Sequence, residues 1–264
     1  MLMPKGYYII RTYTAGHIVE KTKAFISENK VRSKREAESS LKKQEQNEYS
    51  LVRRLARFLN GNFTNLDYLV GYDYSPAGYE RLLKRAEKYD DELLADRIIK
   101  AAKQEIDNYI RRIQRELKKT GGEIKYLGIT SDMDGATGEA VRVHHHFVIS
   151  GAPKQLLIDK WTAGGCTVNN IWQDSDLTRL AEYLIAQVRH RPNAKSYVPS
   201  RNLVLEKPKD RIVHSAAEIR IPKGATLLHR AAVNGGNDYQ YVRYMAKKEK
   251  PREGDERHGE GWRG

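Results

Sequence analysis

The sequence predicts an α+β fold in which helices pack on one face of a central antiparallel sheet. Three observations carry that prediction. Strand-like segments are separated by long helical ones without the strict alternation of a parallel sheet. Apolar stripes at helical spacing run over residues 51–59 and 79–119. Charged residues make up 31% of the 264, against roughly 25% in an ordinary soluble domain, yet 39% are hydrophobic, enough to close a core.

Residues 6–26 carry β-branched and aromatic side chains around Ala15-Gly16 and read as a hairpin. Residues 27–58 are charged and then amphipathic. Leu51, Val52, Leu55, Phe58 and Leu59 recur at helical spacing with Arg53, Arg54 and Arg57 between them, and Gly61 is the expected stop. A strand over 66–74 ends before Ser75-Pro76. The stripe from Leu82 to Leu117 is one helix or two broken near Asp90-Asp91, and Thr120-Gly121-Gly122 ends it. Strands follow over 124–130 and 141–150 around a polar loop, 131–140. A short helix to Trp161, a strand from Cys166 to Ile171 and a helix from about Asp176 to Arg189 come next. Residues 191–208 read as loop, 212–246 as mixed short elements, and 247–264 as a disordered tail. The expected division is a basic hairpin and helix (1–59), a core (60–208), an extension (209–246) and the tail (247–264).

Lys and Arg number 47 against 34 Asp and Glu, a formal net charge of +13, and the isoelectric point is near 9.6. That balance points to an anionic partner, most simply nucleic acid. No apolar run approaches the ~18 residues of a membrane span, and the amino-terminal segment has no signal-peptide stretch. A cytoplasmic protein with no membrane partner is therefore expected. One cysteine, Cys166, excludes an internal disulfide and any zinc site built on two or more thiolates.

Side chains alternate faces along a strand. Over 142–149 this places Arg142, His144, His146 and Val148 on one face, and Val143, His145, Phe147 and Ile149 on the other. The second, apolar set faces the core, so His145 is expected to be a core histidine bonded to backbone. His144 and His146 sit two apart on the polar face, where both imidazoles can share one divalent cation; two incidental surface histidines would look the same. A carboxylate is wanted beside them, and Asp132, Asp134 and Glu139 lie between the two strands. Two histidines and one carboxylate suit Mg²⁺ or Mn²⁺ with positions open to phosphate oxygens; zinc is not excluded by ligand type.

On the helix from 177, Leu177, Leu180, Ala181, Leu184, Ile185 and Val188 form the apolar stripe. Tyr183 falls more than ~120° from its centre, on the polar face with Arg179 nearby. A phenol with an ordinary pKa of ~10 is a poor nucleophile near neutrality. It becomes useful where a metal polarises the attacked phosphodiester and a cation favours the phenolate.

These residues resemble the rolling-circle replication initiators of phages and plasmids, within the superfamily of nucleases named for a His-hydrophobic-His motif. The landmarks are collinear over 47–205: Asn60-Gly-Asn-Phe63, Asp67-Tyr-Leu-Val-Gly-Tyr-Asp73, Tyr126-Leu-Gly-Ile-Thr130, His144-His-His146, Trp161-x-x-Gly164, Tyr183 and Ser200-Arg-Asn-Leu203. The resemblance implies a ferredoxin-like or RNA-recognition-like sheet and a single-strand endonuclease. Its tyrosine becomes linked to a 5′-phosphate and frees a 3′-OH that primes synthesis. Carried onto this chain, Tyr183 is the nucleophile, and His144 and His146 hold Mg²⁺ or Mn²⁺. The expected partners are single-stranded DNA at a replication origin and host helicase and polymerase. The tyrosine follows the histidines, as in replication initiators and related transposases and unlike relaxases.

The chain departs from that pattern in three places. Ser131 stands where relatives close the second strand with glutamate, so the neighbouring Asp132 is taken as third ligand. Ala186 replaces the lysine three residues after the tyrosine, leaving its electrostatic role to Arg179 or Lys195. Gln187 stands where a second tyrosine would be, which implies a one-tyrosine enzyme. Arg111, Arg112, Arg115 and Arg201 join Arg179 and Lys195 as candidate DNA contacts, with Arg53, Arg54, Arg57, Lys118 and Lys119 further candidates. Tyr68, Tyr72 and Tyr74 share one face and either stack unpaired bases or pack the core. Two other functions stay open: a non-catalytic basic nucleic-acid-binding module that keeps the fold, and a metal hydrolase that uses the histidines without the tyrosine.

Overall fold

The computed structural model describes residues 6–27, 41–90, 93–172, 176–189, 195–233 and 239–247. The chain is α+β, with two five-stranded antiparallel sheets. They belong to two compact units: the described parts of residues 1–34 and 206–264, and those of 35–205. The predicted hairpin is therefore not a partner of the helix that follows it. It pairs with the carboxy-terminal extension, and the helix belongs with the histidine strand.

In the first unit β1 (Gly6–Ala15) and β2 (Ile18–Ser27) form the predicted hairpin, turning at Gly16, whose φ of 58° is costly for any residue with a Cβ. Strands β8 (Lys209–Val213), β9 (Thr226–Val233) and β10 (Tyr239–Met245) complete the order β8-β1-β2-β10-β9. Ile219, Val242 and Tyr244 form its small core, with Val19, Ile221 and Ala225 against them.

The second unit holds α1 (Leu41–Asn62), β3 (Tyr68–Tyr72), α2 (Pro76–Ala86), α3 (Leu94–Lys118), β4 (Lys125–Met133), β5 (Ala140–Ser150), α4 (Lys154–Asp159), β6 (Cys166–Asn170), α5 (Thr178–Ala186) and β7 (Val198–Pro199). The sheet order is β6-β3-β5-β4-β7. The long helical stripe is two helices. α2 starts as Ser75-Pro76 dictates: the Ser75 hydroxyl accepts from the Gly78 amide, and proline fills the first turn. The proposed break reaches residues 91 and 92, outside those described, as are 248–264 of the predicted tail. The two-residue β7, read from sequence as loop, adds to β4.

Helices cover both faces of this sheet, not one. On one face Val70, Tyr72, Val143, Phe147 and Ile149 pack with Leu82, Ile106, Tyr109 and Ile113 of α2 and α3. On the other, Leu127, Ile129 and Val148 pack with Leu55 and Leu59 of α1 and Leu180 and Leu184 of α5. Both faces of β4 and β5 are apolar over part of their length. Leaving either bare would forgo about 1.5–3 kcal/mol for each such side chain. Tyr72 and Tyr74 are buried in the first of these cores, and Tyr68 packs against it. None of the three is a platform for unpaired bases. No helix among the described residues is long and apolar enough to cross a membrane.

Candidate active site

The histidine strand alternates as its sequence requires. His145 is fully buried, and it is held by side chains rather than by the expected backbone: Nε2 meets the Tyr74 hydroxyl at 3.0 Å and Nδ1 the Thr130 hydroxyl at 2.9 Å. Hydroxyls donate or accept, so a neutral ring is satisfied in either tautomer. Burial, with smaller contributions from His144 and His146, pushes its pKa down to about 3. His145 locks the strand and leaves its neighbours to face the other way.

His144 lies opposite Ser131 and His146 opposite Ile129, on the face that α1 and α5 share. The two imidazole centroids are 5.0 Å apart, nearly perpendicular. Beside His146 on the next strand is Gly71. A Cβ there would come within 2.7 Å of Thr167 Oγ1, so glycine is needed for the close approach of β6, and only ordinary contact, 3.9 Å, separates the position from His146 Nδ1. α5 then brings Tyr183 over the pair. Tyr183 is 46% exposed, and its ring centroid is 5.5 Å from that of His146. The helical-face argument for Tyr183 and the strand-face argument for His146 thus meet in one place.

Gln187, one turn after Tyr183, is the residue sequence reasoning missed. Its side-chain amide nitrogen donates to the Tyr183 carbonyl at 3.2 Å, which turns Oε1 toward His144 Nε2 at 3.3 Å. It also reaches His146. His144 Nδ1 meets the Arg142 carbonyl at 3.1 Å. A carbonyl only accepts, so Nδ1 carries the hydrogen and neutral His144 presents a lone pair at Nε2. A lone pair facing an amide oxygen needs positive charge between them, either a proton or a cation. Burial and then the neighbouring His144 hold His146 down at about 4, in its neutral, ligating form near pH 7. Two imidazoles and one carboxamide oxygen therefore suit a divalent cation.

Asp132 is not part of this set. The register shifts between Ser131 and Met133, where Asp132 alone stands opposite the three residues Val141–Val143 of β5, and its carboxylate lies 3.5 Å from Arg189 Nε. Among the described residues no three His, Cys, Asp or Glu side chains gather into a metal-holding group. Ser131, in the place of the expected glutamate, is buried and donates to the Gln187 carbonyl. It fixes the end of the helix that carries Tyr183. Asp134 is occupied by the Thr137 and Ala136 amides, at 2.9 and 2.8 Å, which lower its pKa; His144 adds to that effect.

The candidate cations are scattered. Arg179 is exposed and four residues before Tyr183, on the same side of α5. Lys195 is exposed. Arg111, Arg112 and Arg115 are on α3, across the sheet from the histidines. Arg112 turns inward to Glu105, at 3.8 Å, and to the Lys160 carbonyl, at 3.4 Å. Arg201 acts on Tyr126, which packs on that same far side. Sheet thickness therefore separates these four from Tyr183. The asparagine and serine landmarks are structural clamps. Asn60 accepts from the Leu177 amide at 2.8 Å, Asn62 bonds both polar atoms of the Val204 backbone, and Ser200 accepts from Tyr126 N at 3.1 Å.

The chain matches no protein-family model, no curated protein and no solved structure.

Proposed function

We propose that the unit of residues 35–205 is a single-strand DNA endonuclease and strand transferase that starts rolling-circle replication of a phage, plasmid or related mobile element. The observation that carries this reading is the meeting of Tyr183 with the His144–His146 pair. His144, His146 and Gln187 would hold Mg²⁺ or Mn²⁺, and the ion would supply Lewis-acid polarisation of a phosphodiester. None of the three ligands is a carboxylate, so none offsets the ion's charge toward a phosphate. Tyr183 Oη attacks phosphorus and loses its proton to solvent on its exposed side. The P–O3′ bond breaks, and the 3′ oxygen takes a proton from solvent and leaves as a 3′-OH while the 5′-phosphate stays on the tyrosine. Attack on that phosphotyrosine by another 3′-OH reverses the step and rejoins a strand. Gln187 orients His144 and ties it to the turn of helix carrying Tyr183. Arg179 is the cation placed to favour the phenolate. Single-stranded origin DNA is the substrate that the resemblance implies, with helicase and polymerase borrowed from the host.

The pairing of Asp132 with Arg189 favours a second reading, a basic nucleic-acid-binding module without catalysis. One assay separates them. The chain with Mn²⁺ is incubated with end-labelled single strands covering the origin. Cleavage with protein covalently attached to the new 5′ end is expected, and Tyr183→Phe should bind equally but form no adduct. An undiminished adduct in Tyr183→Phe would refute the assignment of the nucleophile. Hydrolysis without adduct would make the chain a metal hydrolase, and binding without cleavage would leave the module.

A further inference from the structure

The first unit carries its own anion site. Its described residues hold eleven Lys and Arg against four Asp and Glu. Three of the four acids are withdrawn from solvent or already paired: Glu20 is buried, Asp210 binds Arg11 at 2.6 Å, and Glu218 binds Arg230 at 2.8 Å. The excess positive charge gathers on one face. Register pairs Thr12 with Lys21 and Lys209, and Ile10 with Lys23 and Arg211, so these side chains project together from β8, β1 and β2. They line a cleft of about 490 Å³ whose other wall includes Ser215, Ala217 and Arg220. Lys23 is used in building it: Nζ is buried and donates to the Ser215 and Ala217 carbonyls, both at 2.6 Å. That leaves Lys21, Lys209, Arg211 and Arg220, and among the described residues none of these four has an acidic partner.

The geometry points to a second nucleic-acid site here, one that grips the sugar-phosphate backbone and leaves the bases unread. Asp210 and Glu218 also line the cleft, but each is bound to an arginine outside these four, so the four cations left over call for a repeating anion. The rings nearby are not offered for stacking: Tyr244 is buried, and Tyr8 lies under Lys23, 4.5 Å from its centroid. Contacts made only to phosphates bind duplex and single strand alike, without sequence preference and with strong salt dependence. This site stands apart from the nicking reading and does not need it.

The test is anisotropy of a labelled duplex lacking any nick site, titrated with the full chain at several salt concentrations. The variant is Lys209→Gln/Arg211→Gln/Arg220→Gln, three exposed positions. Removing three phosphate contacts should lower the slope of log K against log salt by about 2.7, and affinity near 0.1 M salt should fall at least about tenfold. The charge-keeping variant Lys209→Arg/Arg211→Lys/Arg220→Lys should bind like wild type. Nicking of a short single strand by the triple Gln variant should persist, and its loss would assign these residues to the nicking site and overturn a separate one. Unchanged duplex affinity and slope would also overturn the proposal. So would a triple variant that keeps duplex binding but loses wild-type binding to phosphatidylserine vesicles, since the cleft would then face a lipid surface. If wild type nicks nothing, duplex binding still decides the cleft.

Discussion

Acid should loosen the second unit through His145, and the size of the effect follows from its burial. The folded ring titrates at about 3, whereas an unfolded histidine titrates near 6.5. Below that value the unfolded chain takes up a proton that the folded one refuses, so stability is flat above about pH 6.5 and falls as pH drops toward 3. At about 1.36 kcal/mol per pH unit, the loss near pH 5 is about 2 kcal/mol. His145→Gln removes the titrating ring. The stability gap between wild type and variant should therefore narrow by about 2 kcal/mol between about pH 7.5 and pH 5, while other titrating groups cancel in the difference. Urea unfolding followed by tryptophan fluorescence reads this directly, because Trp161 packs with its ring centroid 5.8 Å from that of His145. A gap that stays constant over that range would refute the neutral, locked ring, and with it the reason His144 and His146 turn to the opposite sheet face, under α5.

Two further outcomes are expected. Gly135→Ala would place a Cβ 2.6 Å from Gln187 Cγ; the glutamine must move, and Mn²⁺ affinity measured by calorimetry should weaken about tenfold with Tyr183 untouched. The buried Tyr72 hydroxyl donates to that of Tyr109 at 2.8 Å, which donates to the Leu157 carbonyl at 2.9 Å. Tyr109→Phe strands a donor and an acceptor and should cost about 2–3 kcal/mol in urea unfolding, whereas Tyr72→Phe should cost about 1 kcal/mol and become nearly neutral in the Tyr109→Phe background.

The resemblance and the site separate into parts with different physical origins. Ser200, Asn60 and Asn62 match landmarks yet serve as clamps, because a short polar side chain that bonds backbone leaves the same trace in sequence as one that touches DNA. Tyr68, Tyr72 and Tyr74 share the face that sequence predicted, but which face is buried depends on helices far along the chain.

Sequence alone determined what periodicity can carry: the strand that sorts His144 and His146 from His145, the face of α5 that bears Tyr183, and the Ser75-Pro76 start of α2. Each is a local matter of two or four residues, set by backbone geometry. Only the tertiary structure decided that helices cover both sheet faces, that the first hairpin pairs with strands some 200 residues later, and that Gln187, not Asp132, lies against the histidine pair. The register between β4 and β5 slips by two residues opposite Asp132, and nothing in the local sequence marks where the slip falls. Its position is set by the opposite strand and by the helix pressing on it, which are contacts between parts of the chain that share no local pattern.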